Sequence, residues 1–327
     1  MTSALATTVF GAKAMRLDHA AEAARISEFL VQSARKLNRR GLVVGVSGGI
    51  DSAVCAALAV KALGPKRVFA LLMPERDMTD DAHDRGRRLC EQLGVAHAVE
   101  DIGPALEAIG CYRRRDEAIA RIVPGYRPDW RHKIVISPAT EATIAHFNIV
   151  VENPAGEQSS TRMAVEAYLQ VVAATNFKQR TRKTLEYYHA DRLNYAVLGT
   201  PNKLEYDLGF FVRGGDGLAD IKPIAHLYKT QVYALAAHLG VPEEIRRQLP
   251  STNTYSLPQT QEEFYYALPY DKADIALHAL LHGVPAAGIA PELGITPAQV
   301  EAVYRDFNGK RRAAGRGLAE AAVLTVA

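Results

Sequence analysis

Short apolar runs alternate with helical patterns along the first hundred residues. The apolar runs are too short for helices and are bounded by glycine or proline, which favours buried strands. The stretches between them space their apolar residues as helices do, and two of them end at Gly64 and Gly94. This alternation predicts an α/β fold, a doubly wound parallel sheet with helices on both faces. The predicted strands are 42–46, 67–73 and 95–99, and the predicted helices are 18–37, 52–63 and 79–93.

The pattern is less regular in the rest of the chain. We predict a single domain over 1–327, with 102–160 as an inserted segment, 1–17 as a flexible arm and helices at the C-terminal end. Alternating apolar residues within the inserted segment favour a hairpin. The predicted elements are a hairpin over 132–137 and 147–152, a helix over 161–193, a strand over 195–198 and a helix over 226–239.

Charge and composition argue against a nucleic-acid partner. The 327 residues carry 39 basic and 36 acidic side chains, for a net charge of +3, and 48% of them are hydrophobic. That balance lacks the basic excess of a nucleic-acid-binding surface. The run Arg113-Arg114-Arg115 is therefore predicted to be a solvated helix face.

The spacing of the cysteines and the length of the apolar runs indicate the cellular compartment of the protein. Cys55, Cys90 and Cys111 form no close pair, which argues against a disulfide framework or a zinc site, and Cys55 and Cys90 are predicted to lie in the core. No apolar run approaches the roughly 20 residues of a membrane span, and no secretory signal is evident. The expectation is a cytoplasmic protein with no membrane partner.

The loop between the first strand and its helix carries the first chemical signal. It reads Ser47-Gly48-Gly49-Ile50-Asp51-Ser52. Adjacent glycines let a ligand approach the backbone, and the amides of such a loop bind anions together with the helix N-terminus. Asp51 would repel a phosphate unless a divalent cation bridged the two. The loop therefore predicts a site for ATP or pyrophosphate with Mg2+.

Further motifs follow in a fixed order. They are 199–205 (Gly-Thr-Pro-Asn-Lys-Leu-Glu), 215–223 (Gly-Asp-Gly-Leu-Ala-Asp-Ile-Lys-Pro), 227–232 (Leu-Tyr-Lys-Thr-Gln-Val) and 310–312 (Lys-Arg-Arg). With the Ser47–Ser52 loop, this set resembles the NAD synthetase family of N-type ATP pyrophosphatases, over roughly residues 20–100 and 165–312. The resemblance implies a Rossmann-like sheet of the adenine nucleotide alpha hydrolase type.

The resemblance also implies site residues. Asp51 and Glu205 would hold Mg2+, and both, with Lys229, would be catalytic. The implied ATP-binding residues are Ser47, Gly48, Gly49, Asp51, Ser52, Arg180, Thr200, Lys229 and Ser251 (or Thr252 in place of Ser251), and the implied dinucleotide-binding residues are Asn176, Arg180, Asp216, Lys310 and Arg311.

The implied reaction is the ATP-dependent amidation of the nicotinate carboxylate of deamido-NAD by ammonia. The carboxylate would first be adenylated, because ammonia does not readily attack an anion. No protein nucleophile is needed, and no glutaminase signature is present, so ammonia would come from solution or from a separate ammonia-supplying subunit. The family resemblance further implies a homodimer.

Departures from the family's motifs lie on the substrate side. Thr175 and Gln179 replace a glycine and an alanine, and Gln261 replaces an aspartate. One alternative is therefore a paralogue that amidates another carboxylate. The others are a different ATP pyrophosphatase, such as a tRNA thiolase, GMP synthetase or asparagine synthetase, and a nucleotide-binding module without turnover.

Overall fold

The computed structural model describes residues 15–78, 80–137, 146–248, 254–260, 262–266, 268–319, 321 and 323–324. The strands are β1 Leu42–Gly45, β2 Val68–Leu72, β3 Ala96–Val99, β4 Arg131–Ser137, β5 His146–Glu152, β6 Gln158–Arg162 and β7 Ala196–Val197. The helices are α1 His19–Lys36, α2 Ile50–Leu63, α3 Asp80–Leu93, α4 Gly103–Ala108, α5 Cys111–Ala120, α6 Val165–Leu193, α7 Lys203–Leu208, α8 Lys229–His238, α9 Glu243–Arg246, α10 Tyr270–Leu281, α11 Ala286–Leu293 and α12 Pro297–Leu318.

A parallel sheet forms the centre of the molecule, as the alternating pattern predicted. Its order is β3-β2-β1-β7, so Leu42 pairs with Val68 on one side and with Ala196 on the other. The chain moves outward from β1 in one direction and then returns to the opposite side at β7. Ligands of such sheets bind at this change of direction, beyond the carboxyl ends of the strands.

Both faces of the parallel sheet are covered by helices. Leu42 and Val44 pack into one apolar cluster with residues of α1, α2 and α8, whereas Val43 packs with residues of α4 and α6 on the other face. Alternate residues of a strand point to opposite faces, so a strand buried on both sides reads as a continuous apolar run. The three cysteines are buried, which confirms the core prediction for Cys55 and Cys90.

A second, antiparallel sheet of order β4-β5-β6 begins within the predicted inserted segment and extends two residues beyond it, to Arg162. The hairpin prediction is confirmed, since His132 pairs with Val151. The helix predicted from 161 begins instead at Val165, and residues 158–162 form the edge strand β6. Its sequence, Gln-Ser-Ser-Thr-Arg, is polar throughout and mostly exposed, so apolar periodicity gave no signal for it.

Helices close the C-terminal end. Residues of α10, α11 and α12 share an apolar cluster with Leu204 and Leu208 of α7, and Met15, at the end of the predicted arm, is buried in the same cluster. The rest of that arm, 1–14, lies outside the described residues. No helix among the described residues has both the length and the apolar character needed to cross a bilayer.

Candidate active site

The loop after β1 is held in one conformation by its glycine. Gly48 has φ of +77°, and a Cβ atom built there would lie 2.1 Å from the carbonyl oxygen of Ala82. Any side chain would therefore be strained and would collide with the backbone at α3. The glycine brings the loop close to a neighbouring helix, which explains why the motif requires this residue type.

Serine side chains close the same loop on itself. Ser52 Oγ donates to Gly49 O at 2.9 Å and accepts from Ser47 N at 3.2 Å, while Ser47 Oγ accepts from Gly49 N at 3.3 Å. Helix α2 begins directly behind the loop, at Ile50. The loop and the positive end of a 14-residue helix thus share one edge, as an anion site requires.

Asp51, in the first turn of α2, meets residues from two distant segments. Its Oδ1 accepts from Asn202 Nδ2 at 3.2 Å, and its Oδ2 pairs with Lys229 Nζ. Asn202 follows β7 and Lys229 begins α8. Both carboxylate oxygens have a further lone pair, so these contacts leave acceptor capacity on Asp51.

Glu205 is fixed by a reciprocal cap at the start of α7. Asn202 Oδ1 accepts from Glu205 N at 3.2 Å, and Glu205 Oε2 accepts from Asn202 N at 3.0 Å. This capping box satisfies two backbone donors and orients both side chains. Because Asn202 also bonds to Asp51, it links the two predicted metal ligands. We call Asp51, Asn202, Glu205 and Lys229 the Asp51 cluster.

Lys229 is only 1% exposed and retains its charge. Burial alone would lower the pKa of Lys229, but the carboxylates of Asp51 and Glu205 outweigh burial and raise that pKa. Lys229 N donates to Asp274 Oδ1 at 3.1 Å, and Thr230 N donates to Asp274 Oδ2 at 2.8 Å. Asp274 thereby fixes the start of α8, where Lys229 lies.

The donor set of the Asp51 cluster fits a hard divalent cation. Asp51 and Glu205 supply carboxylate oxygens, and Mg2+ is commonly bound by one or two carboxylates together with substrate phosphates. Among the described residues, no group of three or more His, Cys, Asp or Glu side chains is arranged to hold a metal. The cluster therefore suits an ion that arrives with the phosphates better than a permanent protein cage.

Arg180 and Asp216, predicted to bind the dinucleotide, both bond to the backbone of residues 212–213. Arg180, exposed on α6, donates from Nε to Arg213 O at 3.1 Å, and Asp216 Oδ1 accepts from Val212 N at 2.7 Å. The first bond attaches the glycine-rich loop to α6, and the second closes that loop on itself. A Cβ atom at Gly215 would lie 2.9 Å from Gln179 Cβ, so glycine allows the close approach.

The remaining predicted residues are more scattered. Thr200 is half-buried beyond β7, and Asn176 is half-buried on α6. Lys310 Nζ donates to Tyr265 O at 2.6 Å and to Asp306 Oδ2 at 2.6 Å. The structure leaves Arg311 exposed, and both Ser251 and Thr252 lie outside the described residues. The substrate roles of these residues stay predictions.

Comparison with known proteins agrees with the motif order. The family model described as NAD synthase matches residues 22–125 and 133–311. The chain belongs to the NAD synthase family. It is 57% identical to the NH(3)-dependent NAD(+) synthetase of Rhizobium meliloti over 308 residues, 93% of this chain and 92% of that protein.

Solved structures agree on the fold of this NAD synthase family member. An NMN synthetase from Francisella tularensis matches with a TM-score of 0.67 at 24% identity, covering 95% of this chain and all of that one. An NAD+ synthetase from Burkholderia pseudomallei matches with a TM-score of 0.56 at 26% identity, covering 91% of this chain and 90% of that one. The α/β fold predicted from the sequence is thus confirmed.

Sequence reasoning missed a second charged group at the ligand edge of this NAD synthase family member. Lys178 is fully buried on α6, and its Nζ donates to Glu75 Oε1 at 3.1 Å, to Asp77 Oδ2 at 2.6 Å and to Thr254 O at 2.7 Å. Burial alone would raise the pKa of Asp77, but the charges of Lys178 and Arg115 outweigh burial and lower that pKa. We call Glu75, Arg76, Asp77, Arg115, Asp116 and Lys178 the Lys178 cluster.

Arg115 overturns part of the prediction for the arginine run. Arg113 and Arg114 are exposed, as expected of a solvated face, but Arg115 is only 2% exposed. Its Nη1 donates to Asp77 Oδ2 at 2.7 Å, and its Nε donates to Asp116 Oδ1 at 2.9 Å. Arg115 is buried because it pairs with acids from its own helix and from the turn after β2.

The antiparallel sheet holds the segment that follows residues 249–253. Leu257 N donates to His132 O at 3.1 Å, and His132 N donates to Ser256 Oγ at 2.9 Å. Tyr255 is buried in the apolar cluster of this sheet. Strand β4 and Lys178 therefore both fix the backbone of residues 254–257.

Proposed function

We infer that the protein amidates the nicotinate carboxylate of deamido-NAD with ammonia and converts ATP to AMP and pyrophosphate. The observation that carries this inference is the meeting of three motif blocks, at Asp51, Asn202–Glu205 and Lys229, beside the anion-binding loop. The relative that is 57% identical over nearly the whole chain is named an NH(3)-dependent NAD(+) synthetase, which supports the inference.

The chain's own groups suit adenylation. The amide of Gly48 and the first amides of α2 would donate to phosphate oxygens, and the ammonium of Lys229 would offset their charge. The substrate carboxylate attacks the α-phosphorus, an acyl-adenylate forms and pyrophosphate leaves. This step needs positioning and charge neutralisation rather than a protein nucleophile. Ammonia then attacks the acyl carbon, AMP leaves with the electron pair of the broken bond, and the nitrogen releases one proton to solvent to give the amide.

Two of the substrate-side departures, Thr175 and Gln179, have local structural explanations, and the third, Gln261, lies outside the described residues. Thr175 is buried, and its hydroxyl donates to Val171 O at 3.1 Å and to Val172 O at 3.0 Å. Gln179 meets Gly215 through its Cβ atom, which an alanine would also possess. Neither change requires a different substrate, so the paralogue alternative is not favoured. The match to an NH(3)-dependent relative likewise favours this reaction over that of another ATP pyrophosphatase.

We propose Mg2+ as the metal, held by Asp51 and Glu205. The ion would offset phosphate charge and favour departure of pyrophosphate. Removing Mg2+ with EDTA should abolish AMP release, and it should leave the melting temperature of the ligand-free protein unchanged. Persistence of AMP release in EDTA would contradict the metal assignment.

We also propose a homodimer and ammonia taken from solution. Val165 and Leu169 are 75% and 56% exposed one turn apart on α6, a face suited to a second copy. Leu169→Lys should shift the mass measured by light scattering from dimer to monomer. The alternative nitrogen source is a separate ammonia-supplying subunit. We expect the purified chain to form NAD with ammonium but not with glutamine.

A steady-state assay tests the function. The protein is given ATP, Mg2+, ammonium and deamido-NAD, and AMP and NAD are measured together. We expect one AMP for each NAD, and no AMP when deamido-NAD is omitted. AMP release with another carboxylate only would contradict the substrate, and no AMP with any carboxylate would favour a binding module.

A further inference from the structure

The N-cap of α8 is a residue that caps helices poorly. It is Tyr228, whose hydroxyl lies 3.2 Å from His278 Nδ1 on α10. The first amides of a helix lack partners within that helix, and a Ser, Thr, Asn or Asp side chain at the N-cap usually accepts from them. A cap for the first amides of α8 therefore has to come from another element.

Asp274 of α10 supplies that cap, 44 residues beyond Thr230 in the sequence. Its Oδ1 accepts from Lys229 N at 3.1 Å, and its Oδ2 accepts from Thr230 N and from Thr230 Oγ1, both at 2.8 Å. The side chain is fully buried, with 0% exposed. Asp274 thus holds the main chain of the residue whose ammonium pairs with Asp51.

A carboxylate is costly at this position. Burial raises the pKa of Asp274 to about 6 from 3.8, so its ionisation at neutral pH costs free energy. A carboxylate nevertheless holds two successive amides better than asparagine does, because both of its oxygens accept. Two bonds fix the direction of the first turn, whereas one bond would let the turn pivot. The arrangement therefore favours exact placement of α8 over stability.

Lys229 needs this placement, because its ammonium lies at the end of a long side chain. Its Nζ pairs with Asp51 Oδ2 on α2 and lies 5.4 Å from the centre of the Tyr270 ring on α10. An aromatic ring at that distance attracts a cation. Helix α10 therefore holds Lys229 at both ends, at the main chain through Asp274 and at the ammonium through Tyr270.

We propose that Asp274 is a positioning residue for the ATP site, which acts through Lys229 by fixing the main chain from which the ammonium reaches Asp51 and the phosphates. The inference rests on the proposed function, because it takes ATP as the ligand of Lys229. Since Asp274 is fully buried, it would not touch the ligand itself. A misplacement of about 1 Å in a site can reduce catalysis about 100-fold, so a residue of this kind affects function without contact.

A double-mutant cycle tests whether Asp274 acts through Lys229. Asp274→Asn keeps the volume but converts one acceptor oxygen to an NH2 group, so one of the two amides loses its acceptor. The dissociation constant of Mg-ATP is measured by calorimetry at pH 8 in the unmodified protein, Asp274→Asn, Lys229→Met and the double variant. We expect Asp274→Asn to weaken binding about tenfold when Lys229 is present, and by less than about twofold in the Lys229→Met background.

Asp271→Asn is the matched control, because Asp271 is an exposed carboxylate one turn earlier on α10. It should leave Mg-ATP binding unchanged. A merely structural role of Asp274 would weaken binding equally with and without Lys229, and that result would overturn the proposal. Unchanged binding in Asp274→Asn would also overturn it.

Steady-state kinetics give a second test that needs only the single variant. The KM for Mg-ATP should rise about tenfold in Asp274→Asn, while the KM for deamido-NAD stays within about twofold, because Lys229 is assigned to the phosphates. Equal rises in both KM values would indicate a general structural effect and contradict the assignment. Failure of the unmodified protein to bind Mg-ATP would instead contradict the proposed function.

Discussion

Two charged clusters lie along the same edge of the parallel sheet and differ in the balance between their positive and negative side chains. The Asp51 cluster follows β1 and β7 and combines two carboxylates with one ammonium group. The Lys178 cluster follows β2 and combines three carboxylates with three cationic side chains. Lys178 and Arg115 hold their acids at hydrogen-bond distance in the buried interior.

The difference favours a structural role for one cluster and a chemical role for the other. Charges that balance each other in the interior leave no electrostatic demand for a ligand, and they join segments that are distant in sequence. The Asp51 cluster keeps an excess of negative charge next to the predicted anion-binding loop, which suits a cation that carries phosphates. We therefore expect the charge balance, and not position at the ligand edge alone, to indicate which group does the chemistry.

Removing the central cation of the Lys178 cluster should have the largest effect. Lys178→Met leaves Glu75 and Asp77 buried beside each other without their ammonium partner. The free energy of unfolding, measured by urea denaturation, should fall by about 3–5 kcal/mol. Lys66→Met, at an exposed lysine, is the control and should change it by less than about 0.5 kcal/mol. A loss below about 1 kcal/mol for Lys178→Met would contradict a structural role.

Asp51→Asn should act on turnover more than on stability. The amide keeps an acceptor for Lys229 but removes the negative charge required for the cation. NAD formation should fall about 100-fold or more, while the loss of stability stays smaller than that of Lys178→Met. Asp207→Asn, on a carboxylate paired with Lys203 in α7, is the control and should retain activity. Equal activity of the two variants would remove Asp51 from the chemistry.

Asp274, which fixes the start of α8, should make stability depend on pH. Burial raises the pKa of Asp274 to about 6 from 3.8, so the folded protein holds a proton that the unfolded chain releases between these values. Its contribution to stability is present below pH 4 and is lost as pH rises to about 6.

The measurement compares the unmodified protein with Asp274→Asn by urea unfolding between pH 4.5 and 7. The difference in unfolding free energy should decline with rising pH, by about 2 kcal/mol between pH 4.5 and 7. A difference that does not vary with pH would show that Asp274 titrates normally in the folded protein.

Arg180→Ala should have the smallest effect on stability and a selective effect on substrate. The side chain is exposed and bonds only to Arg213 O within the described residues. The unfolding free energy should change by less than about 0.5 kcal/mol. If Arg180 binds the dinucleotide, the KM for deamido-NAD should rise about tenfold with little change in stability. An unchanged KM would contradict the substrate role.

The sequence predicted what local patterns determine. The four parallel strands and the loop between β1 and α2 were correct, because apolar runs and adjacent glycines are local signals. The anion-binding role of that loop stays a prediction. Strand order was not predicted, since it depends on which strands meet across the sheet. Strand β6 was missed because pairing with β5, rather than its own polar side chains, defines it.

Contacts between residues that are far apart in sequence could not be predicted from local patterns, for the same reason. Asp51 and Lys229 are 178 residues apart, and the motif order indicated a shared site without indicating that they touch. Arg115 was predicted to lie on a solvated face, and Lys178 drew no prediction, because only the fold places the Asp77 carboxylate between them.

The most direct test of this account is the release of pyrophosphate in a single turnover without ammonium. If the Asp51 cluster adenylates the carboxylate before nitrogen enters, mixing the protein with Mg-ATP and deamido-NAD should release about one pyrophosphate per site in a rapid burst. Adding ammonium should then convert the bound adenylate to NAD and AMP, and Asp51→Asn should show no burst. Pyrophosphate that appears only after ammonium is added, or a full burst from Asp51→Asn, would contradict the account.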